Sequence, residues 1–294
     1  MRKAPELERI WTVMDLLRWG TDYFTAKDID SPRLTMELMV GSVLQCTRLQ
    51  LYTNFEQPLT KDELTALRHM IERRVKREPL QYILGHADFY GLSFEVTPDV
   101  LIPRPETEIL VERAVRFLKT FDAPVHALDI GTGTGCIPIA CLKYHPGTQW
   151  TALEKSQAAL AVAQRNADRY GALSNIEFIH KDFLHDSSLV TRRFSLICMN
   201  PPYIPSSEVP TLQAEVRDFE PHMALTDDGD GTAFFVRLAE TCRELLEPTG
   251  RCFMEVAQGQ SEVVQEIFIA HGYETSVILD LASIPRIVTA NLFS

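Results

Sequence analysis

Residues 127–140, ALDIGTGTGCIPIA, run from an apolar strand through a glycine-rich turn into an apolar helix. The reading of that turn decides the fold. A dinucleotide site spaces its glycines G-x-G-x-x-G; here Gly131, Gly133 and Gly135 are followed by Cys136, so that spacing fails. No Gly-Lys-Ser/Thr follows, which removes a P-loop. Asp129 stands two residues before the first glycine, where a carboxylate repels a pyrophosphate and attracts a cation. What remains is the strand, tight turn and helix that open a parallel α/β sheet.

Further strand signals follow the first (VHALDI, 125–130) at QWTALE (149–154), IEFIH (176–180), FSLICM (194–199) and RCFMEV (251–256). Helical patterns separate them: about 106–120, after the glycines, 156–170 with Gly171 as its stop, 231–247 and 259–271. Short apolar strands alternating with helices predict a parallel sheet covered on both faces. The tail YETSVILDLASIPRIVTANLF (273–293) holds two strand-like runs close together, an antiparallel finish. The expected fold is α/β: a doubly wound, mostly parallel, seven-stranded Rossmann-like sheet.

Upstream, residues 5–77 read as helices. LERIWTVMDLLRWGTDYF (7–24) lines up Leu7, Ile10, Trp11, Met14, Leu16 and Leu17 as one apolar stripe. Ser31-Pro32 offers an N-cap and a first-turn proline, and Thr60-x-x-Glu63 is a capping box whose helix Pro79 stops. HADFYGLSFEV (86–96) alternates around Gly91 as a hairpin, and a proline-rich stretch follows. The expected organisation is a small helical domain over 1–79, a hairpin and linker over 80–105, and a sheet domain over 106–294.

A chain of 294 residues can bury both cores, and 45% hydrophobic with 23% charged residues is ordinary soluble composition. No run approaches the roughly 18 apolar residues of a membrane span, and MRKAPELERIW is not a secretory signal, so a cytoplasmic protein is expected. A net charge of −11 argues against a surface that grips nucleic acid throughout. The six cysteines (Cys46, Cys136, Cys141, Cys198, Cys242, Cys252) include no Cys-x-x-Cys pair, so reduced thiols and no metal site are expected.

A ligand with a cationic end and no phosphate suits this turn, and S-adenosylmethionine is one: it carries an ammonium and a sulfonium. Glu154 ends the second strand, 25 residues after Asp129, where an acid can bind ribose hydroxyls, and Asp182 follows the third, in reach of an adenine amine. The fourth strand delivers Asn200-Pro201-Pro202-Tyr203 to the same sheet edge. A planar NH₂ group is a poor nucleophile because its lone pair is delocalised. The Asn200 side-chain oxygen and the Pro201 carbonyl can accept its two hydrogens and turn the lone pair toward a methyl group. The prolines stiffen the loop, and Tyr203 offers a flat face for stacking.

These residues, with EPLQYILGHADFYG (78–91), LIPRPETE (101–108) and DIGTGTG (129–135), make essentially the whole chain resemble the HemK/PrmC family of peptide chain release factor glutamine N5-methyltransferases. The resemblance implies S-adenosylmethionine-dependent methylation of the glutamine amide in the Gly-Gly-Gln motif of class I release factors, supporting translation termination. The helical N-terminal domain is part of that resemblance, and it is expected to dock the release factor while the sheet domain reacts. By the family's motifs, Asp129, Gly131, Thr132, Gly133, Gly135, Glu154, Asp182 and Asn200 would hold the donor. Asn200, Pro201 and Tyr203 would be catalytic, and Asn200, Pro201, Pro202, Tyr203, Arg104 and Glu106 would contact the substrate. The chain departs from the pattern at MEVAQGQ (254–260), with Ala257 where the family more often has glycine; this points Glu255 toward supporting the active-site strand.

Adenine-N6 methylation of nucleic acid shares the site chemistry and is the nearest alternative. Residues 204–231 hold seven acidic side chains against Arg217 alone, a rim that repels a phosphate backbone. A module that only binds the donor would have no use for Asn200. A monomer with a release factor as partner, and no stable nucleic-acid or membrane partner, is expected.

Overall fold

A computed structural model of the chain describes residues 10–186 and 192–293. It divides into two compact units: residues 1–85 with 214–219, and residues 86–213 with 220–294.

In the first unit, α1 (Val13–Thr25) starts where Thr12 and Asp15 form a capping box, the Thr12 hydroxyl accepting from Asp15 N at 3.2 Å. The stripe read from the sequence begins this helix earlier. Instead the Trp11 carbonyl accepts from Leu59 N and Thr12 bridges to Pro58, so the chain before Val13 is extended. Ile10 is left 78% exposed, and Leu7 lies outside the described residues. Pro32 opens α2 (Pro32–Leu44) as expected, but Ser31 sits at φ +47° and makes no side-chain cap. The short α3 (Arg48–Thr53) precedes α4 (Lys61–Val75), which carries the Thr60–Glu63 capping box. Pro79 is the N-cap of α5 (Leu80–Leu84). Leu16, Phe24, Met36, Met39, Leu67 and Ile71 form the core.

The second unit opens with a hairpin, β1 (His86–Phe89) and β2 (Leu92–Glu95), turned by Tyr90 and Gly91, both at positive φ. Asn166 holds it to the glycine turn: Oδ1 accepts from Glu95 N, and Nδ2 donates to the Glu95 and Thr134 carbonyls. Then come α6 (Thr107–Leu118), β3 (His126–Ile130), α7 (Cys136–Tyr144), β4 (Gln149–Glu154), α8 (Gln157–Arg169), β5 (Ile176–His180) and β6 (Phe194–Met199). After α9 (Ala214–Phe219), which belongs to the first unit, follow α10 (Ala233–Leu245), β7 (Leu246–Glu255), α11 (Ser261–Ala270), β8 (Tyr273–Leu279) and β9 (Pro285–Leu292).

The seven strands lie in the order β5-β4-β3-β6-β7-β9-β8, parallel except for the antiparallel β9. Alternate residues of β6 enter two cores: Leu196 and Cys198 pack with α6 and α7, Ile197 and Met199 with α10 and α11. Burial on both faces explains why FSLICM reads as an unbroken apolar run. The doubly wound architecture is as expected from the sequence. All six cysteines are free thiols.

Candidate active site

Strand order reverses between β3 and β6, and in open α/β sheets ligands bind outside the strand C-termini at that point. A cavity of about 230 Å³ opens there. Gly131, Gly133, Glu154, Asp182, Asn200 and Pro202 all line it, so one site unites the glycine turn, the ends of β4, β5 and β6, and the proline loop.

The glycine turn is held by the Leu153 carbonyl, which accepts from Gly131 N at 2.9 Å and Thr132 N at 3.0 Å. Gly131 and Gly133 have φ of +73° and +54°, and a Cβ on either would project into open space. The Glu154 carboxylate accepts from Gly133 N and Ser156 N, each at 2.9 Å. Asp129, fully buried, accepts from the Thr132 hydroxyl at 2.6 Å through Oδ2, while its Oδ1 has no hydrogen-bond partner. Burial raises its pKa to about 7; the Thr132 bond opposes the rise and the Glu154 charge adds to it. A buried acceptor short of a partner, beside glycines that admit a ligand, fits the ammonium of S-adenosylmethionine. Burial would raise Asp182 too, but Lys155 at 2.9 Å and His185 at 2.8 Å outweigh it and hold the carboxyl below its ordinary range.

At the tip of β6, Asn200 Nδ2 donates to the Thr107 hydroxyl oxygen at 3.0 Å. Asn200 Oδ1 is then the atom left to accept from a ligand. Pro201 and Tyr203 are not among the residues lining the cavity. Tyr203 is fixed at both ends: its hydroxyl donates to Glu255 Oε1 at 3.2 Å, and its carbonyl accepts from Gln260 Nε2 at 3.3 Å. Burial, then the Glu255 charge, pushes the phenol above its ordinary range. Arg104 pairs with the buried Glu220, whose second oxygen accepts from Ile102 N at 3.1 Å. Arg104 and Glu106 lie outside the cavity lining, and Glu106 is the N-cap residue of α6.

Sequence reasoning did not find Thr107, Gln260, Glu220 or Asp227. Asp227 lines the cavity and receives the amides of Gly229, Gly231 and Ala233 at 2.8–3.0 Å. The dense Asp-Gly run 227–231 is the one signal that could have flagged it.

A doubly wound sheet with this strand order, a glycine turn over a buried acid, and Asn-Pro-Pro-Tyr at the switch point defines a methyltransferase of the α/β class. Family models agree: residues 15–85 match the PrmC N-terminal domain and residues 109–224 the methyltransferase small domain. The release factor glutamine methyltransferase of Geobacter sulfurreducens is 42% identical, covering 93% of each chain. That of Chlorobaculum tepidum is 44% identical over 87% of this chain and 89% of its own. Among solved structures, the hMettl16 catalytic domain has a TM-score of 0.56 at 13% identity, covering 79% of this chain and 82% of its own, a likeness of fold alone. The chain belongs to the release factor glutamine methyltransferase family.

Proposed function

We propose that the protein transfers a methyl group from S-adenosylmethionine to the side-chain amide nitrogen of the glutamine in the Gly-Gly-Gln motif of class I release factors. The observation that carries this reading is Asn200 at the cavity wall with its Nδ2 already committed to Thr107. S-adenosylmethionine supplies the methyl group as an electrophile on a sulfonium. Asp129 would hold the donor's ammonium, Gly131, Thr132, Gly133 and Gly135 its methionyl backbone, Glu154 the ribose and Asp182 the adenine. Asn200 Oδ1 and the Pro201 carbonyl take the two N–H groups of the glutamine amide, which directs the nitrogen lone pair at the methyl carbon. As the N–C bond forms and the S–C bond breaks, the nitrogen gives its extra proton to solvent. Pro202 stiffens the loop, Tyr203 presents its ring to the amide plane, and Arg104 and Glu106 support the loop's approach.

In this reading the helical unit docks the release factor, and a monomer acts in the cytoplasm without a stable nucleic-acid partner. Among the described residues no helix is long and apolar enough to cross a membrane. The test is to incubate the protein with donor and an intact class I release factor, a peptide bearing the motif, or duplex DNA. Mass spectrometry should place one methyl on the motif glutamine, with the intact factor far outrunning the peptide. A methyl on DNA adenine and none on the factor would replace this reading with the nucleic-acid one; equal rates on peptide and factor would end the docking role.

A further inference from the structure

The MEVAQGQ stretch (254–260), where the chain departs from its family's pattern, has no part in the reaction as written, yet it bonds to the Asn-Pro-Pro-Tyr loop twice. That loop offers few holds along its middle. Pro201 and Pro202 carry no N–H, so only their carbonyls can bond, and the first of these is the acceptor reserved for substrate. Upstream the loop is secured by the sheet, where Met199 pairs with Ile130 and Met254, and by Asn200, whose Nδ2 donates to the Thr107 hydroxyl. Downstream it is secured at Tyr203, and MEVAQGQ supplies two side chains that grip this residue. Glu255, the last residue of β7, accepts the Tyr203 hydroxyl on Oε1 at 3.2 Å. Gln260, the N-cap residue of α11, donates from Nε2 to the Tyr203 carbonyl at 3.3 Å and to the Gly231 carbonyl at 3.0 Å. Its Oε1 accepts from Ala257 N at 3.2 Å. Ala257 sits outside the left-handed region, so an alanine there adds no strain and leaves this N–H in place.

We propose that Glu255 and Gln260 are positioning residues that hold the downstream end of the loop, and with it the Pro201 carbonyl, in register with Asn200 Oδ1. The inference rests on the reading that these two oxygens accept the hydrogens of the substrate amide. Two acceptors turn the lone pair of a planar nitrogen only while their spacing matches that of its two N–H bonds. Asn200 is fixed through Thr107 on α6. The Pro201 carbonyl takes its place from the chain on either side. Tyr203 lies two residues on, and the fixed φ of both prolines passes a shift of Tyr203 back to that carbonyl instead of absorbing it.

The three bonds of Gln260 use one acceptor and both N–H groups of a single planar side chain. Only glutamine and asparagine carry that set, and asparagine is a methylene shorter. A carboxylate of the same shape would still accept from Ala257 N but would face the Tyr203 and Gly231 carbonyls with no hydrogen to offer. The groups read as holding the donor stand elsewhere: the glycine turn follows β3, Glu154 ends β4 and Asp182 follows β5. Loosening the grip on Tyr203 therefore slows methyl transfer and leaves donor binding as it was.

The test measures kcat on an intact release factor at saturating donor, with donor Kd from titration calorimetry and folding checked by scanning calorimetry. Gln260→Glu should lower kcat by about 100-fold, the cost of displacing a reacting group by about 1 Å. Donor Kd and the KM for the factor should each stay within about threefold. Tyr203→Phe and Glu255→Leu each remove the hydroxyl contact and should each lower kcat about tenfold, the effect of one hydrogen bond of ordinary strength. Because they break the same bond, the double variant should be within about threefold of either single one. Glu255→Gln keeps an oxygen for the hydroxyl and should recover most of kcat. A kcat for Gln260→Glu or Tyr203→Phe within about threefold of wild type overturns the proposal. So does a donor Kd that rises in step with the loss of kcat, a double variant in which the two costs multiply, or Glu255→Gln as slow as Glu255→Leu. Should Gln260→Glu or Glu255→Leu fail to fold, the kcat of Tyr203→Phe decides. Wild type that methylates no release factor would instead overturn the functional reading.

Discussion

At the scale of single residues, Asp129 carries the most chemistry per atom: a buried carboxyl with one oxygen bonded to Thr132 and the other without a partner. Burial lifts its folded pKa to about 7, above the ordinary range of an aspartate, so the folded chain holds this proton more tightly than the unfolded chain does. Its contribution to stability is therefore present below the unfolded value and is lost as pH rises toward 7. A donor ammonium placed there reverses the shift. Binding of S-adenosylmethionine at pH 6 should therefore release close to one proton, read as a heat that differs between buffers of different ionisation enthalpy. Below about pH 7 the affinity should weaken up to tenfold per pH unit. Asp129→Asn should abolish both effects, and a wild-type binding heat independent of buffer would count against the ammonium contact.

At the scale of elements, the proline loop is braced by two others, the turn before α10 and the loop after β7. Gln260 Nε2 donates to the Tyr203 carbonyl and, at 3.0 Å, to that of Gly231. A Cβ on Gly231 would stand 2.2 Å from the Tyr203 carbonyl oxygen, on a backbone already at φ +82°. Gly231→Ala should therefore displace the loop, cutting methylation at least tenfold and lowering Tm by several degrees, by scanning calorimetry. The strands were the most legible elements: QWTALE, IEFIH and FSLICM have the bounds read from the sequence, because strands buried on both faces are continuous apolar runs. The short helices α3, α5 and α9, of five or six residues, were not legible. So few residues show no period. The start of α1 was misread because Ile10 and Trp11 keep helical spacing while the Trp11 backbone bonds to Leu59.

At the scale of the molecule, the groups that sequence order could place were those at strand ends, since topology alone carries them to the switch point. Groups joined by long-range bonds were silent: Thr107 meets Asn200 across 93 positions, and Ile102 meets Glu220 across 118. Such a bond leaves no periodic trace. The first unit also draws on a distant segment. Buried Arg74 donates to Glu215 at 3.1 Å, and Arg77 bonds the same oxygen at 3.4 Å. Burial would raise Glu215, yet its backbone bond and these arginines hold it below its ordinary range. Glu215→Ala should cost roughly 3 kcal/mol by stranding a buried guanidinium. Urea unfolding and faster amide exchange in α4 would report it; unchanged exchange would assign the pair no part in stability.

The membership of residues 214–219 in that bundle has a further consequence for the order in which the protein is made. Chains emerge N-terminus first, and domains generally fold as they appear. Here the first 85 residues reach their last partner only after some 130 more have been synthesised. Until then Arg74 lacks the Glu215 carboxylate, so the nascent bundle waits, incompletely neutralised, for a piece of chain that arrives late.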